Sequence, residues 1–309
     1  MPRLLRLFGA TPLARRRAYW GLALVAPNVL GLLFFFGIPV LVAFGTSLVR
    51  WNSIQPPVFV GLENFKRLVT DPDFGNALVT TFKLVLYTLP LELLFALGVA
   101  LMLNQRLLGR SVFRTIYFLP VVTSTVAASI VWTWIFQPRY GLIGNLLAPL
   151  GLRDVAWLTR PDLVLIPIAA VAIWQRLGFD MVLFLAGLQN IPRIMYEAAV
   201  IDGAGRWAQF RRITIPLLTP TLFLVSVLSI IALFQLFDPI YIMTSRTTRG
   251  GVDGSATNLV FFLYQTGFIK SDFGYSSAIA LALFLIILGF TVIQLRMQRR
   301  WVYYEAGDA

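Results

Sequence analysis

Glu197-Ala198-Ala199-Val200-Ile201-Asp202-Gly203-Ala204-Gly205, running on through Arg206 to Pro216, is a polar, glycine-punctuated island in an otherwise apolar chain. The segments flanking it, 162–188 and 215–243, are each longer than the ~20 apolar residues a helix needs to cross hydrocarbon. A polar elbow between two such segments is a loop on one face of a bilayer. Working outward from it, four more apolar segments follow, at 19–48, 76–104, 112–136 and 275–296. The reading is an all-α, polytopic membrane protein with six transmembrane helices, the elbow lying between the fourth and fifth.

Composition supports lipid as the solvent. Of 309 residues, 58% are hydrophobic and 13% charged, against roughly 25% charged in soluble domains. The mean hydropathy is +0.77. A net charge of +12 would suggest nucleic acid in a soluble protein, but here the basic residues fall between apolar runs and report membrane orientation instead. With no Cys and no His, the chain lacks thiolate nucleophiles, the commonest general base and the usual transition-metal ligands, so no metal site is expected. Arg15-Arg16-Arg17 before an apolar run looks like a signal peptide. The run continues to about Val49 without a small-residue cleavage site, so it reads as a retained spanning helix. The chain shows no internal repeat, which leaves inverted-repeat transporter folds without support.

Six spans put both ends on one side. The set of segments containing the elbow, both termini and the 104–114 loop holds fifteen arginines against four acids, a balance of +11. The opposite set holds nine basic and seven acidic residues, a balance of +2. The positive-inside rule therefore predicts that the termini and the elbow are cytoplasmic. The predicted organisation is a basic N-terminal segment (1–18), a six-helix body (19–298) with its loop at 189–215, and a C-terminal tail (299–309). In the outer loops, 145–152 and 258–269 are apolar but too short to span, and are expected to form short interfacial helices.

Five ionisable residues fall within the spans: Lys83, Glu92, Arg176, Asp180 and Asp238. At about 1.5 Å per helical residue, Lys83 and Asp238 lie ~30 Å or more from the cytoplasmic ends of their helices, near the outer surface. Glu92 and Arg176 come out level with one another, ~18–20 Å above that face. A Glu92–Arg176 pair between the second and fourth spans is thus predicted, with Asp180, four residues along the same helix, as a second partner for Arg176. A structural ion pair and a direct role in binding a solute are both consistent with this placement. Gln175, Ser229 and Gln235 add hydrogen-bonding groups near mid-depth or above, and Gly178 allows a close approach to backbone. Together they form the candidate polar passage.

In the elbow, Asn190 is a candidate cap for a short helix with Pro192 in its first turn, Gly203 and Gly205 can end that helix, and Arg206–Thr214 can form a second. Ala198, Ala199 and Ala204 leave room for a partner's backbone. Glu197 and Asp202 are the only acids in an arginine-rich loop, and offer a pairing point. An amphipathic linker held to the membrane by its arginines fits the same physics.

The spacing Glu-Ala-Ala, two residues, Asp-Gly-Ala, then Phe210, Ile213 and Pro216 resembles the cytoplasmic loop of membrane subunits of binding-protein-dependent ATP-binding-cassette (ABC) importers. The resemblance runs through Phe59-Val60-Gly61-Leu62-Glu63-Asn64-Phe65, Phe113-Arg114, Phe118-Leu119-Pro120, Gly141-Leu142-Ile143-Gly144-Asn145, Trp174, Gly178-Phe179 and Phe273-Gly274-Tyr275. It is greatest for the carbohydrate-uptake, maltose/glycerol-phosphate-type branch. The resemblance implies a bacterial or archaeal inner-membrane permease working with a second homologous permease, two copies of a cytoplasmic ABC ATPase that bind ATP and Mg, and an external solute-binding protein. It also implies that Glu197, Ala198, Ala199, Asp202, Gly203 and Ala204 couple to the ATPase. Leu177, Gly178, Met181 and Ser229 would lie near the sugar path, and Leu233 stands where maltose-type importers carry a sugar-contacting asparagine.

Consistently, the chain has no Walker A loop: Lys66, Lys83 and Lys270 follow Phe or Ile rather than Gly. Hence no cofactor, no ATP hydrolysis and no nucleic acid are expected of this chain itself. Two other classes are compatible with single features. One is a self-sufficient ion-coupled transporter or channel using Glu92, Arg176 and Asp180 as relay groups, and the other is an intramembrane paired-aspartate enzyme, for which Asp180 and Asp238 lie at different depths.

Overall fold

The computed structural model describes residues 12–105, 108–151, 154–245 and 250–301. Helix α1 (Pro12–Leu32) and α2 (Ile38–Ser47) run together through a π-helical turn at Leu33–Gly37 as one span, and the hairpin β1 (Val49–Arg50) and β2 (Val58–Phe59) follows. Next come α3 (Glu63–Thr70), α4 (Pro72–Leu103), α5 (Arg110–Phe118) with a 3₁₀ turn at Leu119–Val122, α6 (Thr125–Ile135), α7 (Leu142–Leu147) and α8 (Leu165–Asn190). The elbow is α9 (Arg193–Ile201) and α10 (Arg206–Gln209), which passes through a π-turn at Phe210–Thr214 into α11 (Ile215–Phe234). The chain closes with α12 (Asp238–Met243), α13 (Leu259–Tyr264), extended by a π-turn at Gln265–Ile269, and α14 (Phe273–Trp301).

Five continuous helices are long and apolar enough to span a bilayer. The sixth expected span, 112–136, is not straight: α5 with its 3₁₀ turn meets α6 at 100°. Thr123 and Ser124 are extended (ψ 148° and 124°), and Ser124 starts α6 afresh by capping the Ala127 N–H. Pro120 lacks the N–H that would continue the α5 ladder, which favours the tighter turn before the break. The fifth expected span, 215–243, is also redrawn. Its helix begins nine residues earlier as an unbroken rod from Arg206, and stops at Phe234, leaving α12 as a separate helix. Pro239 cannot donate to the carbonyl of Gln235, which terminates the ladder there. Among the described residues, two of the π-turns end two residues before a proline, Pro39 and Pro216. Each widened turn absorbs the carbonyl that the proline leaves unbonded.

The short helices expected at 145–152 and 258–269 fall near those places, as α7 with a 3₁₀ turn to Leu150 and as α13. Asn258 fastens the second: its Oδ1 accepts from Phe261 N at 2.9 Å and its Nδ2 donates to the Leu236 carbonyl at 2.6 Å, across the break after α11. Of the N-terminal segment expected at 1–18, residues 1–11 lie outside the described set and 12–18 form the start of α1. At the other end α14 carries on to Trp301, into the expected tail.

Helix α8 is the axis of the bundle, packed against α4, α5, α6, α11 and α12. Two glycines permit this. A Cβ at Gly178 would collide with the Tyr117 carbonyl and the Phe118 backbone of α5, and one at Gly187 would strike Thr221 and Leu218 of α11. Small residues at such crossings let apolar helices gain close packing in lipid, where burial alone supplies little drive. Beneath them Ala96, Ala100, Met181, Phe184, Leu185, Leu188 and Leu218 form one buried cluster toward the elbow. By contrast, the whole central window of the α1–α2 span is unburied, with Leu24, Phe35, Phe36 and Leu41 exposed, as suits a surface against lipid or another subunit.

Candidate functional site

Glu92 of α4 and Asp180 of α8 are both fully buried, and the guanidinium of Arg176 bridges them. Its Nε lies 3.0 Å from Glu92 Oε1 and its Nη2 3.2 Å from Asp180 Oδ1. Glu92, predicted from helix depth, and Asp180, predicted from its i,i+4 spacing, therefore meet Arg176 at once, through two different nitrogens of one planar fork. Arg176 keeps a quarter of its side chain exposed and lies 5.6 Å from the Phe179 ring. The triad ties α4 to α8 in the middle of the bundle.

Beside it, and extending away from the elbow, α4 and α8 part to leave a groove of about 1140 Å3. From α4 it is lined by Asn76, Thr80, Lys83, Tyr87, Leu91 and Phe95, a helical stripe that is polar above and apolar below. Trp174 and Leu177 face it from α8, and Asp162 and Asp253 stand at its mouth. Arg160 grips Asp162 at 2.6 Å, and this hydrogen bond holds the carboxyl below its usual range.

The six path candidates do not converge on this groove. Leu177 lines it, but Gln175 is occupied elsewhere: its Nε2 donates to Thr125 Oγ1 at 2.8 Å and to the Thr123 carbonyl at 3.4 Å, pinning the broken span. Gly178 serves the α5 crossing, Met181 and Ser229 are fully buried, and Gln235 is exposed at the α11 terminus. Leu233 is buried too. Helix depth alone gave their level but not their azimuth. The α4 stripe was missed because its residues, at 76, 80, 83 and 87, read as an ordinary helical surface; the i, i+4, i+7, i+11 spacing was the available signal.

The elbow turns sharply at Gly203, whose φ of +75° suits glycine. Its N–H donates to the Val200 carbonyl at 3.0 Å and that of Ala204 to the Ala199 carbonyl at 2.8 Å, the paired bonds of a Schellman termination. Asn190 does not cap the following helix but closes α8. Ile191, held extended before a proline, separates the two, and Pro192 takes the cap position. Tyr196 Oη to Thr214 Oγ1 (3.0 Å) and Gln209 Nε2 to the Ala204 carbonyl (2.8 Å) brace the elbow from within. Its other side is bare: Glu197, Ala198, Asp202 and Gly203 are exposed, as are Ile194, Val200, Ile201 and Trp207, while Ala199 and Ala204 are half-buried. Neither Glu197 nor Asp202 forms a side-chain hydrogen bond or ion pair among the described residues. Among those residues no cluster of side chains suited to a metal is present.

Residues 92–303 match the family described as binding-protein-dependent transport system inner membrane component. The chain is 36% identical over 291 residues to the probable ABC transporter permease protein YesP of Bacillus subtilis, covering 93% of each. It is 35% identical over 285 residues to the trehalose/maltose transport system permease protein MalF of Thermococcus litoralis, covering 92% of this chain and 95% of that one. Among solved structures, a chain of a bacterial ABC transporter involved in the import of the acidic polysaccharide alginate superposes with a TM-score of 0.79 at 25% identity, over 93% of this chain and 98% of that one. With the helical spans and the elbow, these matches establish that the chain belongs to the inner-membrane permease components of binding-protein-dependent ABC transport systems.

Proposed function

We propose that this chain is one of two homologous permease subunits that together form the passage for a sugar or related solute, in the plasma membrane of a bacterium or archaeon. An external binding protein delivers the solute, and a pair of cytoplasmic ATPases binds ATP and Mg and drives the cycle. The relatives are transporters for trehalose/maltose and for arabinooligosaccharides, and one structural neighbour is a transporter crystallised with an alginate pentasaccharide-bound periplasmic protein, which supports a saccharide as the solute.

The observation that carries the coupling half is the bare elbow. An exposed apolar face with two unpaired acids, braced from behind and continuous with α11, is a lever: a push on α9 or the Gly203 turn is transmitted along the Arg206–Phe234 rod. Glu197, Ala198, Ala199, Asp202, Gly203 and Ala204 are the residues that meet the ATPase in this reading, with both termini and the elbow cytoplasmic. Alternating access then follows from the ATPase pair binding one state of the permeases better than the other. Glu92, Arg176 and Asp180 act as a structural tie in this scheme, not as a relay.

Two variants test it in the complete importer. Glu197→Lys reverses the charge of the elbow, and Gly203→Pro removes the N–H bonded to Val200 and forces a φ near −65° where +75° is needed. Both are expected to insert normally, yet to lose solute uptake while the ATPase retains its basal turnover. Normal uptake and ATPase docking in both would defeat the reading, and transport by the purified chain alone would favour an ion-coupled carrier.

A further inference from the structure

We infer that the outer groove between α4 and α8 prefers saccharides that carry a negative charge, with Lys83 as the specificity-determining residue. This rests on the proposal that the solute is a saccharide. Lys83 lies nine residues before Glu92 on α4, ~13 Å outward of the charged triad. It is exposed, faces the groove, and is the one cation among the described residues lining it. No described acid forms an ion pair with it. Asp162 at the mouth is held by Arg160, and Asp253 lies level with Asn76, two helical turns above Lys83, where both also line a smaller adjoining cavity with Lys270.

The stripe around Lys83 suits a sugar. Tyr87 and Trp174 offer flat apolar faces to the C–H face of a pyranose ring, while Asn76 and Thr80 can exchange hydrogen bonds with its hydroxyls. Lys83 asks for more than a hydroxyl. An ammonium has three donors, no acceptor and a full charge, so a neutral solute that displaces its water leaves that charge uncompensated. A carboxylate or sulfonate supplies both the charge and the acceptors. The volume of the groove, about 1140 Å3, leaves room for an oligosaccharide rather than a single small anion.

The test is equilibrium binding of trigalacturonate and of maltotriose to the assembled permease–ATPase complex, without the binding protein, for wild type, Lys83→Gln and Lys83→Arg. Trigalacturonate is expected to bind about tenfold or more tightly than maltotriose, a charged hydrogen bond being worth about that or more. Lys83→Gln should abolish the preference and Lys83→Arg should retain it. Equal or tighter binding of maltotriose, or a preference unchanged in Lys83→Gln, overturns the inference. So does a loss of complex assembly in Lys83→Gln, which would show that Lys83 pairs with another subunit. If neither probe binds while the reconstituted wild-type importer takes up a neutral saccharide, the anion preference falls and the saccharide reading stands. If that importer takes up no saccharide, the saccharide reading itself falls.

Discussion

Replacing Arg176 by glutamine removes the guanidinium that Glu92 and Asp180 share, leaving two fully buried carboxyl groups side by side without a cation. Breaking a buried pair by deleting one partner costs about 3–5 kcal/mol, because the remaining charge is stranded. With a quarter of the Arg176 side chain exposed, some water reaches the site, and the lower end, about 3 kcal/mol, is the better figure. At ~2–4 °C per kcal/mol, the melting temperature of the purified assembly should fall by roughly 6–12 °C. Glu92→Gln and Asp180→Asn should each cost less, about 1.5 kcal/mol, because Arg176 keeps the other carboxylate. Arg176→Lys should fall between, since an ammonium keeps the charge but loses the planar fork that reaches both carboxylates here. Fluorescence-detected size-exclusion after heating reads the series. A melting point for Arg176→Gln within about 2 °C of wild type, or no lower than that of Glu92→Gln, would refute the claim that the guanidinium is the tie between α4 and α8.

Gly178→Ala places a Cβ 2.8 Å from the Phe118 Cα and closer still to the Tyr117 carbonyl, so the backbone of α5 must move. A loss of about 1–3 kcal/mol is expected in the same melting assay, whereas Gly98→Ala, with nothing within 4 Å of the added methyl, should be neutral or stabilising by about 0.5–1 kcal/mol. Asn258→Ala removes the α13 cap and strips the Leu236 carbonyl of its donor, and should cost about 2 kcal/mol or more. Limited proteolysis of the outer loops gives a second measure of that loosening.

Much of the bundle was legible because spans announce themselves by length and polarity. The helices predicted at 76–104, 162–188 and 275–296 correspond to α4, α8 and α14 with small shifts at their ends. Counting residues from a helix end was enough to put Glu92 level with Arg176, since every helical residue advances by a fixed rise. What the apolar pattern hides is a change of direction. Residues 112–136 are apolar throughout, so only Pro120 and the Thr123-Ser124 pair hint at the 100° break, and such residues also occur in straight spans. The azimuth of a residue is hidden too. With hydrophobic side chains on all faces, no polar stripe tells which side of α8 meets protein, so the packing of Gln175 and Gly178 on α6 and α5 was not legible. The elbow lay between these extremes: Gly203 marked its turn, but Arg206 onward looked like a second surface helix because the polar residues of α10 mask its continuity with α11.

The central claim is that the elbow is where ATP hydrolysis reaches the membrane. The chain contains no cysteine, so a single one can be placed on the elbow by Ala198→Cys and paired with cysteines introduced on the ATPase. Disulfide cross-linking in the assembled importer, with Ser53→Cys in the β1–β2 loop as the opposite-face control, measures the contact directly. The account predicts rapid cross-linking from position 198, none from position 53, and loss of transport on cross-linking that reduction restores. Absence of any ATPase cross-link from position 198, or uptake undiminished once it has formed, would contradict it.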